Sequence, residues 1–442
     1  MEAAPSPMQS VTAWGRLRKA PHRVVRPAFA DIARGALTRA EPAVLCYGMG
    51  RSYGDVCLNE NGRLIATGLL DRFIAFDRAS GIVKAEAGTS LDRLLQVSVP
   101  HGWFTPVSPG TKFVTLGGAV ANDVHGKNHE LVGTFGAHVL SLGLARSSGE
   151  VLTLTRTENA DLFAATIGGL GLTGMILWVE LQLMRIGSSF IEVETLPMAD
   201  LDAFFRLAQE SRAWPYTVAW VDCLARGGST GQGLFMRGRH AETGGFAVHG
   251  PVRKTVPVDA PAALLNAHTI RLFNTLYRRR PWALGARTVH YDSFFYPLDA
   301  LGQWNRLYGS RGFFQHQSVV PMASAPDTVR KLLDLTAARR EGSFLVVLKL
   351  FGTQASPGVL SFPMPGATLA LDFPNKGATT RDLLAALAEI VVAAGGRLYP
   401  AKDATMSAAA FRAGYPAWRK VEAQRDPAVM SDFWRRVTVE AA

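Results

Sequence analysis

The sequence predicts an α+β fold in two domains, on three observations. At 442 residues the chain is longer than one ordinary core accommodates. Its G-x-G-x-x-G element, Gly169, Gly171 and Gly174, follows a helix-like stretch and precedes a strand-like one. A doubly wound dinucleotide fold needs the reverse order, so that fold is excluded. The second half carries apolar strand-length runs followed by an amphipathic helical pattern, as in an antiparallel sheet covered by helices.

Taken in order, "AVLCYG" reads as a short buried strand that runs into the bare backbone of "GMGRSYGD". "RLIATG", "FIAFD" and "GIVKAEAG" read as further strands, and "SLDRLLQVSVPHG" as a capped helix ended by Gly102. The tract from Ser108 to Val139 is dense in glycine. "NADLFAATIGG" reads as helix and "MILWVELQLM" as an alternating strand. "FIEVETLPMADLDAFFRLAQE" opens a new strand-then-helix unit. "FLVVLKLFG" and "ATLALDFP" are sheet strands, and "TTRDLLAALAEIVVAAGG" is the helix that follows them.

Composition narrows the class. Apolar residues make up 48% of the chain, yet the longest apolar run, Ser343 to Phe351, is far short of a membrane span. "MEAAPSPMQS" lacks the basic flank and apolar core of a secretory signal, so the expected location is cytoplasmic or peripheral at the inner membrane. Three scattered cysteines argue against a disulfide framework or a zinc site. The net charge of +11 points to anionic partners. From Ala260 to Tyr291 there is no acid, while Arg271, Arg278, Arg279, Arg280 and Arg287 alternate with Leu272, Phe273, Leu276, Tyr277 and Trp282. That mixture suits an anionic membrane surface, although a solvated basic loop, or a helix whose apolar face is buried, has the same composition. No helix-turn-helix, zinc-finger or RNP pattern supports nucleic acid.

Successive N–H groups in a glycine-rich turn make an anion site, to which Arg51 adds charge; a plain tight turn requiring positive φ looks the same. Glycines 110, 117, 118, 126, 133 and 136 imply close backbone approach, either to a helix or to a cofactor. His125 and His129 stand four apart, as zinc ligands on a helix do, but Gly126 lies between them and no third ligand is near, so no metal is expected.

Together these tracts resemble the FAD-binding domain of the vanillyl-alcohol oxidase / p-cresol methylhydroxylase superfamily. "GMGRSYGD", "HGKNH", "GGLGLTGMI", "YTVAWVD", "GFFQHQSVVP", "VLKLFG" and "GGRLYPAKDA" narrow the likeness to its decaprenylphosphoryl-ribose 2′-oxidases, over nearly the whole chain from Trp14. The resemblance implies a PCMH-type FAD-binding domain in residues 1–186 made of two α+β subdomains. Residues 187–393 would form a substrate domain on an antiparallel sheet, and 394–442 would return to the first domain. It implies that the loop of Gly48, Gly50, Arg51, Ser52, Tyr53 and Gly54 cradles the pyrophosphate. Gly110, Thr111, Thr115, Gly117, Gly118, Asn122, His125 and Gly126 would line the isoalloxazine, closed over by Gly174 and Ile176, with Tyr399 and Lys402 at the flavin face. Arg51 stands where some relatives carry a flavin-linked histidine, so the FAD is expected to be non-covalent; linkage through His125 or a cysteine is the alternative.

Catalysis is assigned by the same resemblance to Lys402, Lys349 and His125, and substrate contact to Tyr53, Trp220, Gln315, Gln317, Lys349 and Ala370. Lys349 in an apolar strand is costly to bury unpaired, though it could snorkel or pair structurally. Ala370 replaces a cysteine that nitroaromatic inhibitors attack in relatives. The implied activity is FAD-dependent oxidation of a polyprenyl-phosphoryl ribose at C2′ in cell-wall arabinan synthesis, with a short-chain reductase as partner. A soluble alditol or aldonolactone oxidase, and a non-catalytic FAD- or lipid-binding protein, are the competing readings.

Overall fold

The computed structural model describes residues 7–38, 43–261, 264–280 and 284–438. The first part of the chain forms two sheets. A four-stranded sheet has the order Met8–Val11, Ala20–Val25, Arg63–Ala66, Val44–Tyr47. Its first pair is antiparallel and the other two pairings are parallel. A five-stranded antiparallel sheet runs Phe73–Asp77, Ile82–Glu86, Met175–Gln182, Val139–Ala145, Val151–Leu154. The expected helix is Leu91–Ser98, with the Ser90 hydroxyl accepting from Arg93 N–H. Gly102, at φ +76°, ends the turn after it, a conformation that side chains disfavour.

The later part is built on an eight-stranded antiparallel sheet. Its order is Gly285–His290, Phe190–Met198, Gly233–His240, Tyr216–Val221, Val346–Phe351, Gly366–Pro374, Phe313–Pro321, Arg397–Leu398. One face is covered by Leu201–Glu210, Ala325–Ala338 and Ala378–Ala393, whose Phe204, Leu332, Leu333, Leu383 and Leu387 share a core with Leu348, Leu369 and Leu371. The alternation of strand side chains therefore turns Val347, Lys349, Thr368, Ala370 and Asp372 to the opposite face. After its edge strand at Arg397–Leu398 the chain returns to the first sheet. There Val44 N–H donates to Ala428 O and Met430 N–H to Val44 O, while Arg436 clasps Asp55 through two bonds of 2.9 Å.

The basic apolar stretch is not a solvated loop but a helix and a strand. Ala267–Arg279 is a helix started by an Asn266–Thr269 capping box, and Gly285–His290 is a strand. The helix buries Ile270 and Asn274 but leaves Leu272, Phe273 and Leu276 at 61%, 41% and 64% exposure. Trp282 lies outside the described residues, as does most of the N-terminal stretch read for a signal. No helix among the described residues is long and apolar enough to cross a membrane.

Candidate active site

A cavity of about 340 Å³ opens between the glycine-rich tracts and the other face of the large sheet. Three adjacent strands supply that wall in register: Gln315 is paired with Asp372, Gln317 with Ala370, Val347 with Ala370, and Lys349 with Thr368. Their side chains all line the cavity because residues two apart on a strand share a face. Opposite them stand Gly48, Gly50, Arg51, Ser52 and Tyr53, then Gly110, Thr111, Thr115, Gly117, Gly118, Asn122 and His125, then Gly174 and Ile176.

The first loop is held by backbone bonds from Trp14 N–H to Ser52 O (2.8 Å) and from Tyr53 N–H to Ala401 O (2.9 Å). Gly50 takes φ +62°. The Arg51 guanidinium lies 4.0 Å from the Trp14 ring centroid, its Nε is buried without a partner, and burial lowers its pKa. The Asp299 charge offsets only part of that burial, and with its Nε unpartnered this arginine is suited to a bound phosphate or other anionic ligand. In the second tract Thr115 Oγ1 accepts from Gly118 N–H at 3.1 Å. Gly117 packs so tightly on Ala87 that an added Cβ would stand 3.0 Å from the alanine Cβ.

At the centre, the Gln317 amide donates to His125 Nε2 at 3.0 Å, leaving His125 Nδ1 buried and unpartnered. Burial, then the Lys349 charge, holds this imidazole well below its ordinary pKa, so it is neutral. Lys349 Nζ donates to Gly126 O at 3.1 Å. Burial, with Lys127 and Lys402 adding like charge, pushes the Lys349 amine down to about 7. Lys402 Nζ lies 3.8 Å from the Tyr53 ring centroid; burial lowers its pKa and Asp372 opposes that. Asp372 accepts from the Gln315 amide and, at 3.4 Å, from Tyr308 Oη. Trp14, Leu298, Trp304 and Leu345 add apolar lining.

Three expected residues lie off this wall. Trp220 packs against Tyr277 with the rings tilted and their centroids 4.7 Å apart, and its indole N–H donates to Phe344 O. Gly54 faces Asp403, whose carbonyl oxygen leaves no room for a Cβ. Gly126 serves through its carbonyl, behind Lys349. His129 is turned to Phe351, 4.5 Å between ring centroids, rather than paired with His125. Among the described residues no group of three His, Cys, Asp or Glu is arranged to hold a metal ion. Sequence reasoning missed Asp372, Thr368, Trp14 and Trp304. The first two could have been found from Ala370, since positions 368, 370 and 372 of one strand share a face.

The fit of FAD to this cradle can be judged from the chain itself. Nothing stands within 4 Å of where a Cβ would lie on Gly110 or Gly171, so the backbone there borders open cavity. Arg51 Nε, Asn122 Oδ1 and His125 Nδ1 are buried and unpartnered along the same cavity. Unsatisfied donors and acceptors beside bare glycine backbone suit a polar, anionic cofactor.

An FAD binding domain model matches residues 22–155. The chain is 35% identical to a decaprenylphosphoryl-β-D-ribose oxidase of Mycolicibacterium smegmatis, covering 98% of each protein. It is 33% identical to an uncharacterised protein of Streptomyces coelicolor, over 79% of this chain and 99% of that one. An L-gulono-1,4-lactone dehydrogenase of Mycobacterium tuberculosis is 30% identical over 37% of this chain and 38% of its own.

Proposed function

The chain belongs to the decaprenylphosphoryl-β-D-ribose oxidase family, and from that premise we propose that it oxidises C2′ of a polyprenyl-phosphoryl-β-D-ribose to the ketone. A short-chain reductase is the proposed partner, which would complete the epimerisation to the arabinose form. The observation that carries this reading is the convergence of Lys402, Lys349, Gln315, Gln317 and Asp372 on one glycine-cradled cavity. We assign residues 1–186 and 394–442 to cofactor binding and 187–393 to the substrate.

Bound in the cradle, FAD supplies the hydride acceptor for the alcohol. The residues of the chain do the rest. Gln315 and Gln317 orient the sugar hydroxyls by hydrogen bonds. Lys349 and Lys402 give the pocket positive character for a phosphorylated substrate, and Lys402 receives the hydroxyl proton. Trp14, Leu298, Trp304 and Leu345 shed water from the mouth and suit the first isoprene units.

The apolar cluster to which Trp304 belongs also includes Leu265 and Phe344, and the Phe344 ring meets Phe273 of the Ala267–Arg279 helix at 5.7 Å. We assign this exposed, arginine-bearing helix to an anionic membrane surface, from which a polyprenyl substrate enters. Anaerobic mixing with polyprenyl-phosphoryl ribose should bleach the flavin, while free polyols should not. Bleaching by polyols or aldonolactones alone favours the lactone-oxidase reading, and no bleaching by any of them favours a binding protein.

Two further results are expected. The FAD should be released intact when the protein is denatured. Arg51 cannot form the histidyl linkage, and burial pushes the cavity-lining thiols of Cys46 and Cys57 up to about 12, leaving them protonated and unreactive. Flavin retained by the precipitated polypeptide overturns this. The wild type should also form no covalent adduct with nitroaromatic inhibitors, since Ala370 offers no thiol and Cys223 is buried against Ser343. Ala370→Cys should create the adduct, read by intact-protein mass.

A further inference from the structure

We propose, on the strength of the alcohol-oxidase reading above, that Arg436 is a positioning residue for Lys402. From the last described helix it clamps the loop that carries the lysine to the first glycine loop, and so fixes where the proton acceptor stands. Nothing in the sequence singled this arginine out.

Lys402 sits between two anchored neighbours. Ala401 O accepts from Tyr53 N–H at 2.9 Å, and Asp403 N–H donates to Tyr399 O at 3.1 Å. The Asp403 carboxylate turns back on its own loop, accepting from Thr405 N–H at 3.0 Å and from Met406 N–H at 2.7 Å. At Gly54 the two loops touch, since a Cβ there would lie 1.8 Å from Asp403 O. That seam places the Lys402 amine inside the cavity, 3.8 Å from the Tyr53 ring centroid.

The charges on the two loops work against the seam. Asp55 follows Gly54 and Asp403 follows Lys402, the first half-buried and the second buried, and like charges so placed repel. One cation answers both. The Arg436 guanidinium donates twice to Asp55 at 2.9 Å and once to Asp403 at 3.4 Å, while its other Nη reaches Met406 O. It therefore ties the first glycine loop to the turn on the far side of Lys402. A planar fork of fixed donors suits that task as a lysine ammonium does not.

The clamp has a firm base. The helix Asp432–Thr438 buries Phe433, Trp434 and Val437. The Trp434 ring meets Phe411 edge-on at 5.7 Å, and its indole N–H donates to Glu422 at 2.6 Å. A reacting group misplaced by about 1 Å costs on the order of 10² in rate. Arg436 thus bears on the chemistry through the loop it holds, as a positioning residue and not a catalytic one.

The test is a double-mutant cycle on the holoenzyme, read by flavin reduction with polyprenyl-phosphoryl ribose in single-turnover mixing. Arg436→Gln should slow reduction about 10- to 10²-fold with FAD still bound. In a Lys402→Ala background the same substitution should change the rate little, because the group it positions is gone. Asp55→Asn cuts the other arm of the clamp and leaves the chain end its cation. It should give a similar loss, and the two losses should not add. Amide hydrogen exchange reads the clamp without turnover: residues 401–406 should lose protection in Arg436→Gln, while the Leu91–Ser98 helix keeps its own. An equal rate loss in both backgrounds, or lost protection in that helix as well, makes Arg436 an ordinary staple of the chain end and overturns the inference. So does an undiminished rate in Arg436→Gln. If that variant does not fold, Asp55→Asn carries the cycle and the exchange measurement alone. If the wild type is not reduced at all, the oxidase reading fails instead, and exchange still decides whether Arg436 holds the loop.

Discussion

Lys402→Ala should bind FAD as the wild type does and reduce it about 10²- to 10⁴-fold more slowly with polyprenyl-phosphoryl ribose. The range is that of removing a positioned acid–base group. Cofactor retention follows from where the cradle is made: its glycines and Arg51 lie in residues 48–54 and 110–118, the loop holding Lys402 is tied to it by Tyr53 N–H to Ala401 O, and that loop is closed on itself by Lys402 N–H to Tyr399 O at 3.0 Å. Alanine at 402 leaves both bonds in place. Lys402→Arg separates charge from basicity. A guanidinium keeps the cation over the Tyr53 ring but cannot give up its proton at accessible pH, so it should rescue substrate affinity and not the rate. Full activity in Lys402→Ala removes the residue from the mechanism.

The two glycine tracts and the strand order around them were legible because they are local features. A G-x-G-x-x-G with helix before and strand after cannot be a dinucleotide fingerprint, and the structure has Ala160–Thr166 before it and Met175–Gln182 after it. "ATLALDFP" was legible as a strand, with its alternation carrying Leu369 and Leu371 into the core. Asp372 was not recognised, because its place on the cavity wall is set by what the neighbouring strand and the Tyr308 turn bring to it, contacts separated by 57 and 64 residues in sequence. Trp220 was misplaced for the complementary reason. Its strand was right, but only the Ala267–Arg279 helix, packed across it through Tyr277, shows that its ring is already covered. That helix was one of two ordinary readings of its stretch, and its pattern did not decide between them. With Arg271, Arg278 and Arg279 beside three exposed apolar residues, its pattern does not resolve into one buried stripe, and its capping box at Asn266 and Thr269 was the signal that could have found it.

The same helix carries the second large expected effect: replacing Arg278, Arg279 and Arg280 with glutamine should weaken partitioning onto anionic vesicles roughly a hundredfold. Each arginine close to an anionic leaflet contributes about 1 kcal/mol, and about 3 kcal/mol is a factor of roughly 10² in an equilibrium constant. The three sit at the last turn and C-cap of Ala267–Arg279, at the end of a face that exposes Leu272 and Leu276. Apolar side chains that enter the interface and cations that stay with the headgroups are two parts of one surface. Fold damage is not expected. The helix is anchored by Ile270 and by Asn274, whose amide donates to Asp222 at 2.7 Å, and neither is touched. The apparent KM for a long-chain substrate presented in vesicles should rise with the loss of binding. A short-chain water-soluble analogue should be oxidised nearly as before, because Lys402 stands on its own loop inside the cavity and not on the helix. Salt should act on the wild type as the substitutions do, since the attraction is screened beyond about 10 Å at 0.1 M ionic strength. Vesicle binding that neither salt nor the triple substitution changes makes the helix an ordinary solvated surface. The substrate must then reach the cavity without help from the membrane, as a soluble sugar does.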